Sequence, residues 1–380
     1  MADNPQNNFL PTNIPVLDGN EKKYAMDCFD SNWISAGGKY TTQFEENFAK
    51  WVGSKYAVAC SNGTAAIHLA LASLGVGPGD EVIIPDFTII CSASMTILTG
   101  AKPVLVDVDS EQWCIDPAKI EEKITEKTKA IMPVHMYGNP ANMERVMEIA
   151  KKHNIPVVED ACAAAGAESG GKKVGSIGDV GCFSFYASKN IVTGEGGMVV
   201  TDNEEIAKMA KLLRSHAFEK PRFVHRFIGF NYRLTDVQAA IGVAQLEKAD
   251  EKVARRRQIA KNYSELLKGV PQIQTPKDPT WGKSTFWMYS ILINDSFGLT
   301  RDEVIEELRK LGIGSERFYT PMSQQPIFMQ GGDPRYPDIA GDYSVSQDIG
   351  ARGLYLPSGL GLTENDQKRV VNSLLSLIKK

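Results

Sequence analysis

Along the first two-thirds of the chain, short runs rich in Val and Ile alternate with stretches whose apolar positions recur at helical spacing. The runs at 56–60, 81–84, 103–106, 130–134 and 156–159 predict strands. They are near-continuously apolar, as strands covered on both faces must be. Residues 64–74, closed by Gly75, and 142–152 predict helices between them. This alternation predicts an α/β domain built on a mostly parallel sheet. The rhythm then changes, and two short strands at 181–185 and 197–201 flank a loop over 187–196. A long helical stretch follows from Thr235 to Leu267, heavily charged between Glu247 and Arg257. The boundary is expected inside it, giving a large domain over 1–250 and a small α+β domain over 251–380, with a strand at 287–293 and helices at 301–311 and 363–378.

Size and composition agree with two domains and exclude several classes. The chain has 380 residues, 43% of them apolar, enough for a substantial core. Its formal net charge of -4 offers no basic footprint for nucleic acid. The first eight residues are polar and lack the order of a signal peptide, and no apolar run reaches membrane-span length. Six scattered cysteines without a C-x-x-C pair predict reduced thiols in a cytoplasmic protein. No cluster has metal-ligand spacing. No strand is followed by G-x-G-x-x-G, which argues against a nicotinamide enzyme.

In an open α/β sheet, ligands bind at the carboxyl ends of the strands, and three segments fall there. Ser61-Asn62-Gly63-Thr64-Ala65-Ala66 follows a strand and opens a helix, which offers free N–H groups to a phosphate; alone, it fits an ordinary capped turn better. Asp160, just past the apolar run Val157-Val158, suits the nitrogen of a pyridine ring or, equally, a helix cap. Lys189 is the strongest signal. It sits in the Gly-rich run Tyr186-Ala187-Ser188-Lys189-Asn190-Ile191-Val192-Thr193-Gly194-Glu195-Gly196-Gly197 between two buried strands. A lysine held between apolar strands loses its proton readily and can attack a carbonyl. Ser184 could add a hydroxyl to the same phosphate.

Together these segments resemble the DegT/DnrJ/EryC1/StrS family of sugar aminotransferases across nearly the whole chain. Trp33-Ile34-Ser35, the run from Gly77 to Val82, the run from Lys129 to His135, Gly229-Phe230-Asn231-Tyr232-Arg233 and Leu356-Pro357-Ser358 match as well. The resemblance implies an aspartate-aminotransferase-like fold, pyridoxal 5'-phosphate as cofactor, and a homodimer with sites shared between subunits. It implies that Lys189 forms the cofactor Schiff base and that Asp160 pairs with the pyridine nitrogen. It further implies that Gly63, Thr64, Ala65 and Ser184 hold the phosphate, and that Asn231 reaches the phosphate of the neighbouring subunit. Trp33, Tyr137 and Arg317 are the sugar-nucleotide candidates; for Trp33, a tryptophan anchoring the first helix fits nearly as well. Glutamate would donate the amino group to a keto-sugar nucleotide. Within the family the chain looks most like the branch that aminates C4 of GDP-4-keto-6-deoxymannose for surface polysaccharide; UDP- and dTDP-linked 4-keto sugars are the alternatives. A dehydratase relative carries histidine where Lys189 stands, so the lysine argues against dehydration.

Four positions depart from the family pattern. Ile89 stands where an aromatic usually covers the ring, and Ala163 where a polar residue usually approaches the ring hydroxyl. Glu316 and Ser323 replace an arginine and a histidine, with Arg317 shifted by one.

Overall fold

The computed structural model describes residues 9–329, 331–333 and 335–379. The polar opening stretch 1–8 lies outside them. The expected apolar runs form a sheet in the order Tyr56–Cys60, Gly197–Thr201, Val180–Ser184, Val158–Asp160. Parallel bridges from Ile131 to Val157 and from Val134 to Asp160 join it to Thr128–Ile131, Glu81–Pro85 and Lys102–Val106. Only Gly197–Thr201 runs antiparallel to its neighbours. The sheet is thus mostly parallel, as the alternation of strands and helices predicts.

Side chains of these strands alternate between two cores, as the pleat requires. Val58, Val180, Cys182 and Val199 pack against Ile67, Leu69 and Leu71 of helix Gly63–Ser73. Ala57, Ala59, Phe183, Met198 and Val200 face the opposite way, onto Phe44 and Phe48 of helix Lys39–Val52 and Ala239, Ala240 and Val243 of helix Asp236–Glu247. Phe44 sits 4.9 Å, centroid to centroid, from Phe185, the first residue beyond strand Val180–Ser184.

Several boundaries move, each for a physical reason. The strand expected to reach residue 134 ends at Ile131, because Pro133 has no N–H to continue the ladder. The strand expected from residue 287 starts at Tyr289, after Phe286 in a left-handed conformation with φ 48. The long helical stretch divides at Lys248 into helices Asp236–Glu247 and Ala249–Leu266. Thr235 opens the first of these with a capping box to Gln238. Beyond it, an antiparallel sheet of Ile273–Gln274, Tyr289–Ile293, Gly353–Leu356 and Glu316–Arg317 packs against helices Ala249–Leu266, Arg301–Lys310 and Glu364–Ser376. Among the described residues, no helix is long and apolar enough to cross a membrane.

Phe44 is fully buried and contacts Phe48, Phe185 and the face of Gly242. Phe44→Ala should lower the unfolding free energy by about 3–5 kcal/mol in equilibrium denaturation. A loss below about 1 kcal/mol would show that the aromatic cluster under the lysine loop is not part of the core.

Candidate active site

Three chain segments converge at the carboxyl end of the sheet on a cavity of about 770 Å³. The first is the start of helix Gly63–Ser73. Asn62 caps it: the Ala65 N–H donates to Asn62 Oδ1 at 2.8 Å and the Ala66 N–H to the Asn62 carbonyl at 3.1 Å. Among the described residues, the N–H groups of Gly63 and Thr64 have no such partner, and both residues line the cavity. Residue 63 has no room for a side chain. A Cβ there would lie 2.7 Å from Ser184 Cβ and 2.8 Å from Cys162 Sγ. Glycine therefore brings the helix start, with its positive dipole end, against the Ser184 hydroxyl.

The second segment is the end of strand Val158–Asp160. Asp160 is buried and accepts from Ser92 Oγ at 3.3 Å and from the Cys162 N–H at 3.1 Å. Its neighbour Glu159 is spent on structure. It accepts from the N–H groups of Gly175, Ile177 and Gly178 and pairs with His135 at 3.0 Å. His135 Nδ1 accepts from the Ala141 N–H, so Nε2 carries the hydrogen given to Glu159. This network fixes the strand end from which Asp160 projects.

The third segment is the loop from Phe185 to Gly196, closed by its own backbone. Phe185 donates to Gly196 and Thr193 to Phe185, both at 2.8 Å, while Lys189 donates to Tyr186 at 2.9 Å. Lys189 Nζ lies 3.5 Å from the centroid of the Trp287 ring and faces the cavity. Burial pushes its pKa down, against the smaller opposing pull of Cys162, Asp160 and Cys91. The thiols respond in the opposite sense: burial pushes Cys91 up to about 12 and Cys162 well above its usual range.

Of the residues singled out in the sequence, Gly63, Thr64, Ala65, Ile89, Ser184 and Lys189 line this one cavity. Asp160 lies against it through Ser92 and Cys162. The others stand elsewhere in the single chain. Ala163 is half-buried among the core residues around Phe87 and Val134. Tyr137 is buried, and its Oη accepts from the Tyr319 N–H at 3.2 Å. Trp33 is 51% exposed and lines a separate hollow with Lys39 and Asp236. Arg317 and Asn231 are exposed. Ser323 donates through its N–H at 2.7 Å and its hydroxyl at 3.0 Å to Asp86, whose pKa burial raises to about 6. It therefore ties the loop before Ile89 to the turn Met322–Gln324. Glu316 is exposed beside Arg317 on an edge strand. Sequence reasoning missed the cavity's far wall: Trp287, Met288, Tyr319 and Tyr355 from the later part of the chain and Thr12 from the opening segment. The one available signal was aromatic residues beside turn residues, as in Phe318-Tyr319-Thr320-Pro321.

A helix start stripped of side chain, an adjacent hydroxyl, a buried carboxylate and a desolvated amine in one cavity fit a phosphorylated pyridine aldehyde. No cluster that could hold a metal exists among the described residues. The DegT/DnrJ/EryC1/StrS aminotransferase family profile matches residues 15–375. GDP-perosamine synthase of Caulobacter vibrioides is 43% identical over 98% of this chain and 99% of its own. The protein of that name from Escherichia coli O157:H7 is 40% identical over 92% and 93%. Helicobacter pylori PseC, an aminotransferase involved in the biosynthesis of pseudoaminic acid, superposes with a TM-score of 0.90 at 29% identity, covering 97% of this chain and 99% of its own. With its fold, its lysine cavity and its sequence in agreement, the chain belongs to the DegT/DnrJ/EryC1/StrS family and is a pyridoxal-phosphate-dependent sugar aminotransferase.

Proposed function

We propose that the chain transfers an amino group from L-glutamate to C4 of GDP-4-keto-6-deoxymannose, giving GDP-perosamine for surface polysaccharide such as O-antigen. The convergence of Lys189, Asp160 and the start of helix Gly63–Ser73 on one cavity carries the reaction type. The names of the relatives support the nucleotide and the sugar.

In this reading the two domains meet near residue 250, at the Lys248 break. The opening segment leans on the small one, where Leu10 pairs with Ile313. Gly63 and Thr64 would give their N–H groups, and Ser184 its hydroxyl, to the cofactor phosphate. Ala65 contributes wall, since Asn62 already holds its N–H. Asp160 would pair with the pyridine nitrogen, and Ile89, which lines the cavity, would cover the ring. The bound cofactor supplies an electron sink for the carbanion formed at the amine carbon. Lys189, whose Nζ faces the cavity, would hold the cofactor. Its Nζ, where free, would move a proton to and from the amine-bearing carbon of the substrate. Burial favours the neutral amine that both tasks need.

A second copy completes the site in this account. Ile89, Ile90, Leu98 and Tyr186 are 43%, 41%, 64% and 51% exposed near the cavity mouth, and Phe223 and Ile228 are 71% and 91% exposed. Such a surface suits a homodimer. Asn231 would then serve the partner's phosphate, and Trp33 and Arg317 would position the sugar nucleotide, with Tyr137 bracing the cavity wall through the Tyr319 N–H. The free cysteines suit a reducing, cytoplasmic setting.

The test is a visible spectrum of the protein with pyridoxal phosphate, followed through L-glutamate and then keto-sugar nucleotides. Glutamate should abolish the cofactor's absorption band. GDP-4-keto-6-deoxymannose should restore it and yield a sugar that carries nitrogen. A band that glutamate leaves unchanged contradicts the donor. Restoration by UDP- or dTDP-linked sugars alone contradicts the nucleotide, and a deoxy-sugar without nitrogen contradicts aminotransfer. In a second test, Gly63→Ala should push Ser184 and Cys162 off the helix start and weaken pyridoxal phosphate about tenfold, equivalent to about 1.4 kcal/mol. Wild-type affinity in that variant would remove the phosphate from this helix.

A further inference from the structure

The carbonyl preceding Lys189 is held with unusual density. Ser188 O accepts from Trp287 Nε1 at 2.7 Å, from Arg256 Nη2 at 3.4 Å and from Asn13 Nδ2. A carbonyl has two lone pairs, so three donors saturate it and fix the Ser188–Lys189 peptide plane. The donors come from three places: helix Ala249–Leu266, the residues before strand Tyr289–Ile293, and the opening segment. That segment is itself pinned, because the Thr12 carbonyl accepts from the Ser358 N–H at 2.8 Å.

Arg256 is the least expected member. It is 1% exposed, and no carboxylate among the described residues pairs with it. Its other contacts are also neutral oxygens: the Trp287 carbonyl at 3.0 Å, the Ser358 carbonyl, and Asn13 Oδ1 at 3.3 Å. Its Nε has no partner among the described residues. Burial lowers its pKa to about 10, which leaves it charged at neutral pH. An unneutralised buried cation is costly to keep, so its position calls for a function.

We propose that Arg256 is a positioning residue for Lys189: with Trp287 and Asn13 it grips the Ser188 carbonyl, and its fixed charge stands behind the amine that enters the cavity. The proposal rests on the reading of Lys189 as the cofactor-bearing amine. Trp287 links the two side chains, since its carbonyl accepts from Arg256 while its ring lies under Lys189 Nζ. The charged and titratable groups acting on Lys189 are Cys162, Asp160 and Cys91, which favour its ammonium form, and Arg256, which opposes it along with burial. Removing the guanidinium therefore leaves the ammonium-favouring groups less opposed.

The experiment uses the cofactor-free protein. Pulses of acetic anhydride at a series of pH values, read by peptide mass spectrometry, give the apparent pKa of Lys189. Arg256→Met should move the labelling profile to higher pH, and Arg256→Lys, which keeps the charge, should return it to the wild-type position. An unchanged value in Arg256→Met overturns the proposal. Trp287→Phe is a gentler second arm that keeps a ring under Nζ and deletes one donor to Ser188. It should slow covalent attachment of pyridoxal phosphate about tenfold, about 1.4 kcal/mol in barrier, at an unchanged melting temperature. Attachment at the wild-type rate overturns the gripping role. Failure of the wild-type protein to attach the cofactor would instead defeat the assignment of Lys189 itself, which the labelling arm does not need.

Discussion

A lysine amine is useful to this chemistry only if it is kept out of bulk water, because water stabilises the ammonium form that can neither attack a carbonyl nor take a proton. Keeping Lys189 desolvated is the constraint on which the rest of the structure depends. The loop that carries it is closed by backbone hydrogen bonds at Phe185, Thr193 and Gly196. From below it is propped by the aromatic cluster of Phe44, Phe48 and Phe185. From above it is capped by Trp287. The antiparallel strand Gly197–Thr201 follows from the same need. A chain that leaves strand Val180–Ser184, presents a lysine and returns at once can only run backwards beside it.

Close approach is the second constraint, and glycine meets it. Gly63 lets the helix start touch Ser184 and Cys162. Gly197 lets the returning strand pass the Asn62 carbonyl, which a Cβ there would approach to 2.2 Å. Both concern the same corner of the sheet. Donors for an anion, a hydroxyl and the lysine loop are thus compressed into a region where larger side chains would hold them apart.

Much of this was legible in the sequence. The parallel strands showed as apolar runs because both their faces are buried, and Lys189 stood out because a charged residue interrupts a Gly-rich turn between two of them. The break at Lys248 left no trace, since neither glycine nor proline marks it and the pattern on both sides is helical. Trp287, Tyr319 and Tyr355 were invisible as cavity wall for a different reason. Aromatic residues near apolar strands read as core, and only the approach of the segments around Trp287, Tyr319 and Tyr355 to the lysine loop leaves them facing a cavity. The Asp86–Ser323 contact joins residues too far apart in sequence for any local pattern to reveal. Arg256 likewise reads as one more charge in a charged helix, yet it is buried behind the lysine loop.

The central claim, that Lys189 and no other lysine carries the cofactor, is open to one direct measurement. The protein loaded with pyridoxal phosphate is reduced with borohydride, digested and mapped by mass spectrometry. The account predicts a single phosphopyridoxyl group on the peptide containing Ser188-Lys189-Asn190, and its loss in Lys189→Ala. A stable adduct on a different lysine, or none on this peptide, would contradict it.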